Sequence, residues 1–116
     1  MSVNKIRWYF ACIALCWSVD SIAAVESHTT TIQRFLSDTE RFGYCMIYTD
    51  VSPSIDCRSK WFSLDCKGDF HSKETSRLML DFAQLAYATE SRVSVVINDQ
   101  KKHNDWCVVD RLDVRR

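Results

Sequence analysis

The chain is poor in the residues that most often interrupt a backbone. Its 116 residues include one proline, Pro53, and two glycines, Gly43 and Gly68. Collagen-like, linker-like and glycine-rich phosphate-cradling designs all need more of these residues and are excluded. Neither sign of charge dominates, with 15 basic residues against 15 acidic ones. A nucleic-acid binder would carry a basic face, so that class is set aside. There is no C-x-x-C pair, no H-E-x-x-H and no Ser/His/Asp grouping, and His28, His71 and His103 stand at no ligand spacing from the cysteines. The sequence therefore shows no seat for zinc, thiol redox or hydrolytic chemistry, and no catalytic residue, metal or cofactor is expected.

Long apolar runs are also missing, with one short exception at the start. MSVNKIR carries Lys5 and Arg7 without an acid, WYFACIALCWSV follows at 8–19, and SIAA occupies 21–24. A basic start, a short apolar stretch and small residues at a cleavage site describe an export signal. The stretch is well below the roughly 20 residues that a membrane-spanning helix needs. The expectation is a signal peptide over 1–24 and one domain over 25–116, exported to the periplasm or beyond. In that domain 13 basic residues face 14 acidic ones, which leaves it nearly neutral.

Four cysteines fall in the domain: Cys45, Cys57, Cys66 and Cys107. An even count in a small exported chain reads as two disulfides rather than a metal site. Cys45 and Cys57 flank Ser52-Pro53-Ser54, so a hairpin turning there brings them together and leaves Cys66 for Cys107. Cys45–Cys66 is the rival, because both residues also suit the open end of that hairpin.

Periodicity predicts five strands and one helix. The strands are Thr29 to Phe35, Gly43 to Val51, Ile55 to Leu64, Arg92 to Ile97 and Trp106 to Val114, with 98–105 as a turn. The helix covers HSKETSRLMLDFAQLAYATE, 71–90, with Ser72 as its N-cap and Glu74 in the first turn. Its apolar arc is wider than the usual face of a little over 100°. The excess around Met79, Ala83 and Ala86 is expected to cover a neighbouring subunit, where small residues permit close approach. Asp65, Asp69 and His71 cluster at a loop and are expected to be solvated, as is His103 in its turn. Trp61 and Trp106 are expected to be core anchors.

The order β-β-β-α-β-β is that of the OB-fold, a mainly β, five-stranded, partly open Greek-key barrel whose helix lies between strands 3 and 4. Tyr44-Cys45 with Cys57 a turn later, and the passage QLAYATESRVSVVI at 84–97, resemble the B subunits of subtilase-cytotoxin-like AB5 toxins. That resemblance favours the Cys45–Cys57 pairing. It implies a homopentamer that recognises host-cell glycans on glycoproteins or glycolipids and carries a separate catalytic A subunit. It places the glycan site at His28, Thr29, Thr30, Asp50 and Ser52. A periplasmic protein-interaction factor, an inhibitor or accessory subunit without sugar binding, is the alternative from another class.

Overall fold

The computed structural model describes residues 23–116, so most of the expected signal segment lies outside the described residues. Six strands and one α-helix are formed: β1 (Val25–Thr30), β2 (Arg34–Ser37), β3 (Cys45–Tyr48), β4 (Trp61–Ser63), α1 (Lys73–Ala88), β5 (Arg92–His103) and β6 (Trp106–Arg115). A short 3-10 turn, Glu40–Phe42, precedes β3. The sheet order is β1-β5-β6-β4-β3-β2; the β4–β6 pair is parallel and the other neighbours are antiparallel. The protein is thus mainly β, but its sheet is mixed and is not closed into the expected five-stranded barrel. Its outermost strands are joined only through residues 31–33, which bridge no more than roughly 14 Å at full extension. The sheet is therefore strongly curled.

The sixth strand arises because the expected first strand is divided. Ile32 turns into the core between β1 and β2, and Thr30 hydrogen-bonds to Asp50, which bends the chain there. The expected third strand shrinks to Trp61–Ser63, since residues 55–60 form bends that end at Lys60 with φ 76°. The expected turn over 98–105 is mostly strand. Only Asn104 and Asp105 turn, both at positive φ, as a two-residue hairpin requires, and their short polar side chains tolerate that conformation.

One face of the sheet carries the core. Phe35, Ile47 and Phe62 stand opposite one another on β2, β3 and β4, while β5 contributes Val93, Val95 and Ile97, all three fully buried. Ser72 caps α1 as expected, its hydroxyl accepting the Thr75 N–H at 3.1 Å. The helix lies over β5 and β6 and seats Met79, Ala83 and Ala86 in the core. This corrects the interface assignment. Ala83 and Ala86 are 0% and 1% exposed within a single chain, so no neighbouring subunit can reach them. The excess apolar arc lies instead at Leu78, Phe82 and Leu85, which are 58%, 50% and 54% exposed.

The disulfides are Cys45–Cys66 and Cys57–Cys107, with Cα separations of 5.6 and 5.4 Å. The expected Cys45–Cys57 and Cys66–Cys107 pairs do not form. Hairpin register explains why. Met46 pairs with Ser63 and Tyr48 with Trp61, which sets Leu64 opposite Cys45 and puts Cys66 within diagonal reach. Cys57 sits in the wide loop between the strands and meets Cys107 at the start of β6 instead.

Non-reducing peptide mapping is expected to return Cys45–Cys66 and Cys57–Cys107. On the chain-entropy account the two links contribute about 3 and about 4 kcal/mol respectively, and removal of either whole pair should cost about 2–5 kcal/mol in urea unfolding. Ala83→Arg is expected to unfold the monomer itself, seen as loss of near-UV dichroism, because it buries a charge with no partner.

Candidate functional site

The expected glycan residues lie where β1 meets the loop 49–57. Glu26, His28 and Thr30 pair with Ile97, Val95 and Val93, so their side chains share the core side of the sheet, where apolar residues would be usual. The loop satisfies them. Thr30 donates its hydroxyl to Asp50 at 2.6 Å. Glu26 accepts the Ser54 hydroxyl at 3.0 Å, and the N–H groups of Ser54 and Ile55 at 3.1 Å. His28 Nε2 stands 2.9 Å from Glu26, at an angle that makes no hydrogen bond. Thr30 and Asp50 are thus brought together with His28 beside them. Thr29 points to the opposite face of β1, and Ser52 is exposed on the loop. Glu26 and Ser54 escape sequence reading because only the fold brings the loop to β1; the alternation Glu26-x-His28-x-Thr30 was the available signal.

Charge is settled at this edge. The hydrogen bond from Thr30, reinforced by the Asp50 backbone N–H and the nearby Lys60, holds the Asp50 carboxyl below its ordinary value against a smaller burial effect. Partial burial pushes Glu26 upward, but its bonds from Ser54 and Ile55 outweigh that and hold it low. Both groups remain anionic acceptors at neutral pH. The loop is thereby fixed to β1.

A second cluster joins Asp65, Asp69 and His103. Asp65 is fully buried and accepts the N–H groups of Asp69, Phe70 and His71 at 3.0, 2.7 and 2.8 Å. His103 Nε2 lies 2.9 Å from its Oδ1, and a carboxylate only accepts, so that nitrogen donates. The expectation that Asp65 and His103 are solvated fails: His103 is 7% exposed, and the Phe70 ring stands edge-on to it at 5.2 Å. Gly43 makes room for the imidazole. A Cβ there would stand 2.6 Å from the ring, and its φ of 70° already disfavours other residues. His71 turns elsewhere, to the Val109 carbonyl at 3.0 Å, so the three groups drawn together in the sequence do not act as one. Three acidic or imidazole groups converge within 4.8 Å here, but Asp65 is saturated by backbone donors, and the cluster reads as a structural knot.

The outer face of β2, β3 and β4 carries a third feature. Arg34, Tyr48 and Trp61 stand opposite one another across the strands, with the Tyr48 and Trp61 rings 4.9 Å apart. Beside them Leu36, Phe42, Met46 and Trp106 complete a groove of about 210 Å³. Trp61 and Trp106 are half-buried here and lie outside the main core cluster. A cavity of about 470 Å³ opens between Thr31 and the C-terminal end of α1, with Glu90 as its acid. No helix among the described residues is long and apolar enough to cross a membrane. Two disulfides fit an oxidising environment of the kind met after export. No protein-family model, curated protein or solved structure matches the chain.

Asp65→Ala is expected to cost about 2–3 kcal/mol, since it strips the acceptor from buried His103 and from the partly buried N–H groups of Asp69, Phe70 and His71. The pH dependence has a definite sign. Burial raises the Asp65 carboxyl, but the bonds from His71, His103, Phe70 and Asp69 together pull it below its ordinary 3.8. Its stabilisation is therefore complete above the unfolded value and is lost as pH falls from there through the folded value. Urea titrations from pH 7 to 2 should show a steep acid limb that is shallower in Asp65→Ala. Glu26 and Asp50 supply the remainder.

Proposed function

We propose that the chain is an exported, disulfide-stapled binding module that recognises host-cell glycans, in the manner of an AB5 toxin B subunit, and not an enzyme. The observation that carries this reading is the polar rim at β1. Asp50 and the clamped 50–55 loop present carboxylate and backbone groups, and the buried Thr30 hydroxyl holds that geometry in place without ligand. Sugars are bound by such fixed polar sets, because ordering costs are met during folding and not at binding. An OB-like reading of the strand order is consistent with it. Taken as halves of one bent strand, β1 and β2 reduce the order to five strands with the helix between the third and fourth. The saturation of Asp65 and the burial of His103 leave the most enzyme-like cluster committed to the fold.

The exposed stripe Leu78, Phe82 and Leu85 supports assembly into a homo-oligomeric ring, a pentamer by the same analogy, able to carry a separate catalytic subunit. Three large apolar side chains at i, i+4 and i+7 form one continuous row on α1. The row takes over the interface role expected of Met79, Ala83 and Ala86. A second reading, a periplasmic protein-interaction factor without sugar binding, would use this same row against a different protein.

Native mass spectrometry and glycan arrays test the proposal together. The purified domain should be oligomeric, and Phe82→Asp should yield folded monomers with unchanged near-UV dichroism, unlike Ala83→Arg. Arrays of sialylated and neutral glycans should show binding that Asp50→Ala reduces by about tenfold, as expected for loss of a charged acceptor worth about 1.4 kcal/mol. A folded protein that binds no array sugar and stays monomeric at all concentrations would overturn the reading.

A further inference from the structure

The groove on the outer sheet face combines three properties that point to one kind of ligand. It is apolar within, where Leu36, Met46, Phe42, Trp61 and Trp106 line it. Its rings carry guanidinium groups: Arg34 lies 5.4 Å from the Trp61 ring centre, Arg41 5.5 Å from Phe42 and Arg58 5.1 Å from Trp106. Among the described residues, none of these arginines has a carboxylate within salt-bridge distance, whereas Arg77 and Arg111 each do. The groove is therefore a small apolar slot inside a positive, uncompensated rim. Stacking on aromatic rings fixes each planar guanidinium and leaves its N–H edge available for a carboxylate.

The third property is the strand at its border. β2 ends the sheet order and is laddered only to β3, so its second edge offers backbone N–H and C=O groups to an incoming strand. Arg34 and Leu36 on this strand both line the groove. An extended polypeptide can satisfy that edge while placing alternate side chains into the slot and over the rim. A sugar would stack on an open aromatic face, and an arginine already stands over one face of each of these rings. A lipid headgroup would satisfy the rim but not the strand edge.

We propose that this surface binds an extended acidic polypeptide segment, which adds a strand to β2, buries one apolar side chain in the groove and places carboxylates on Arg34 and Arg41. The site is separate from the β1 rim and does not depend on sugar recognition there. The peptide-binding and glycan readings can therefore fail independently.

The test uses the oxidised, purified domain and acetylated, amidated twelve-residue peptides that alternate Asp or Glu with Ser and Thr around one central Leu, Phe or Trp. The same peptides with Lys in place of each acid serve as controls. The acidic set should bind in isothermal titration, and binding should weaken with added salt. It should shift the amide resonances of residues 34–37 and the indole N–H resonances of Trp61 and Trp106. Arg34→Glu combined with Arg41→Glu changes two exposed side chains and should leave the fold intact by near-UV dichroism. It should weaken the acidic peptides by about a hundredfold, about tenfold for each reversed charge, and it should now favour the Lys set. Three results would each overturn the proposal. The first is equal or absent binding of the two sets. The second is peptide binding that leaves the β2 resonances unmoved. The third is arginine-dependent binding to phosphatidylserine vesicles with none to peptide.

Discussion

A single buried carboxylate organises this small domain. Asp65 leaves the end of β4 with a left-handed φ of 57° and gathers the N–H groups of the next loop onto its side chain. Its carbonyl accepts the Ser76 hydroxyl at 2.7 Å, which ties the first turns of α1 to the same point. Through His103 it holds the far end of the β5–β6 hairpin. Sheet, helix and hairpin thus meet at one residue whose charge is compensated by dipoles and an imidazole, with no lysine or arginine bonded to it. Such a centre fixes geometry more than it adds stability, because desolvating the carboxylate consumes much of what its bonds return.

The disulfides act around that centre. Cys66 follows Asp65 directly and is linked to Cys45 on β3, so the turn that carries the carboxylate is also closed covalently. Cys107 lies just past the Asn104–Asp105 turn and holds the loop around Cys57. That loop includes Ser54 and Ile55, which Glu26 receives from the other side. One loop is therefore secured to β6 by a covalent bond and to β1 by a carboxylate, and the polar rim inherits that rigidity.

Much of this was legible in the chain, and the failures have physical causes. The helix, its Ser72 cap, the strand character of 45–48, 92–97 and 106–114, and two disulfides all follow from local pattern. The pairing of the cysteines did not, because it depends on hairpin register, and a loop twelve residues long hides register. The division of the first strand depends on Ile32 and on the distant Asp50, neither of which changes local periodicity. Met79, Ala83 and Ala86 look like excess apolar surface in the sequence because a helical wheel shows the width of an arc but not which part faces the sheet. Among the expected glycan residues only Thr30 and Asp50 are bonded to each other; Thr29 is separated from His28 by strand alternation, and Glu26 became visible only when the loop was in place. The guanidinium-rimmed groove was the least legible feature, since Arg34, Arg41 and Arg58 lie on three separate segments.

The polar inner face of β1 has a dynamic consequence. The other strands are held by side chains that water cannot replace, whereas Glu26, His28 and Thr30 hold on by bonds that water can supply equally well. β1 is also an end strand, laddered only to β5, so its opening exposes polar groups that water can satisfy and leaves the apolar core closed. When β1 opens, the edge of β5 is uncovered along Val93 to Asn98.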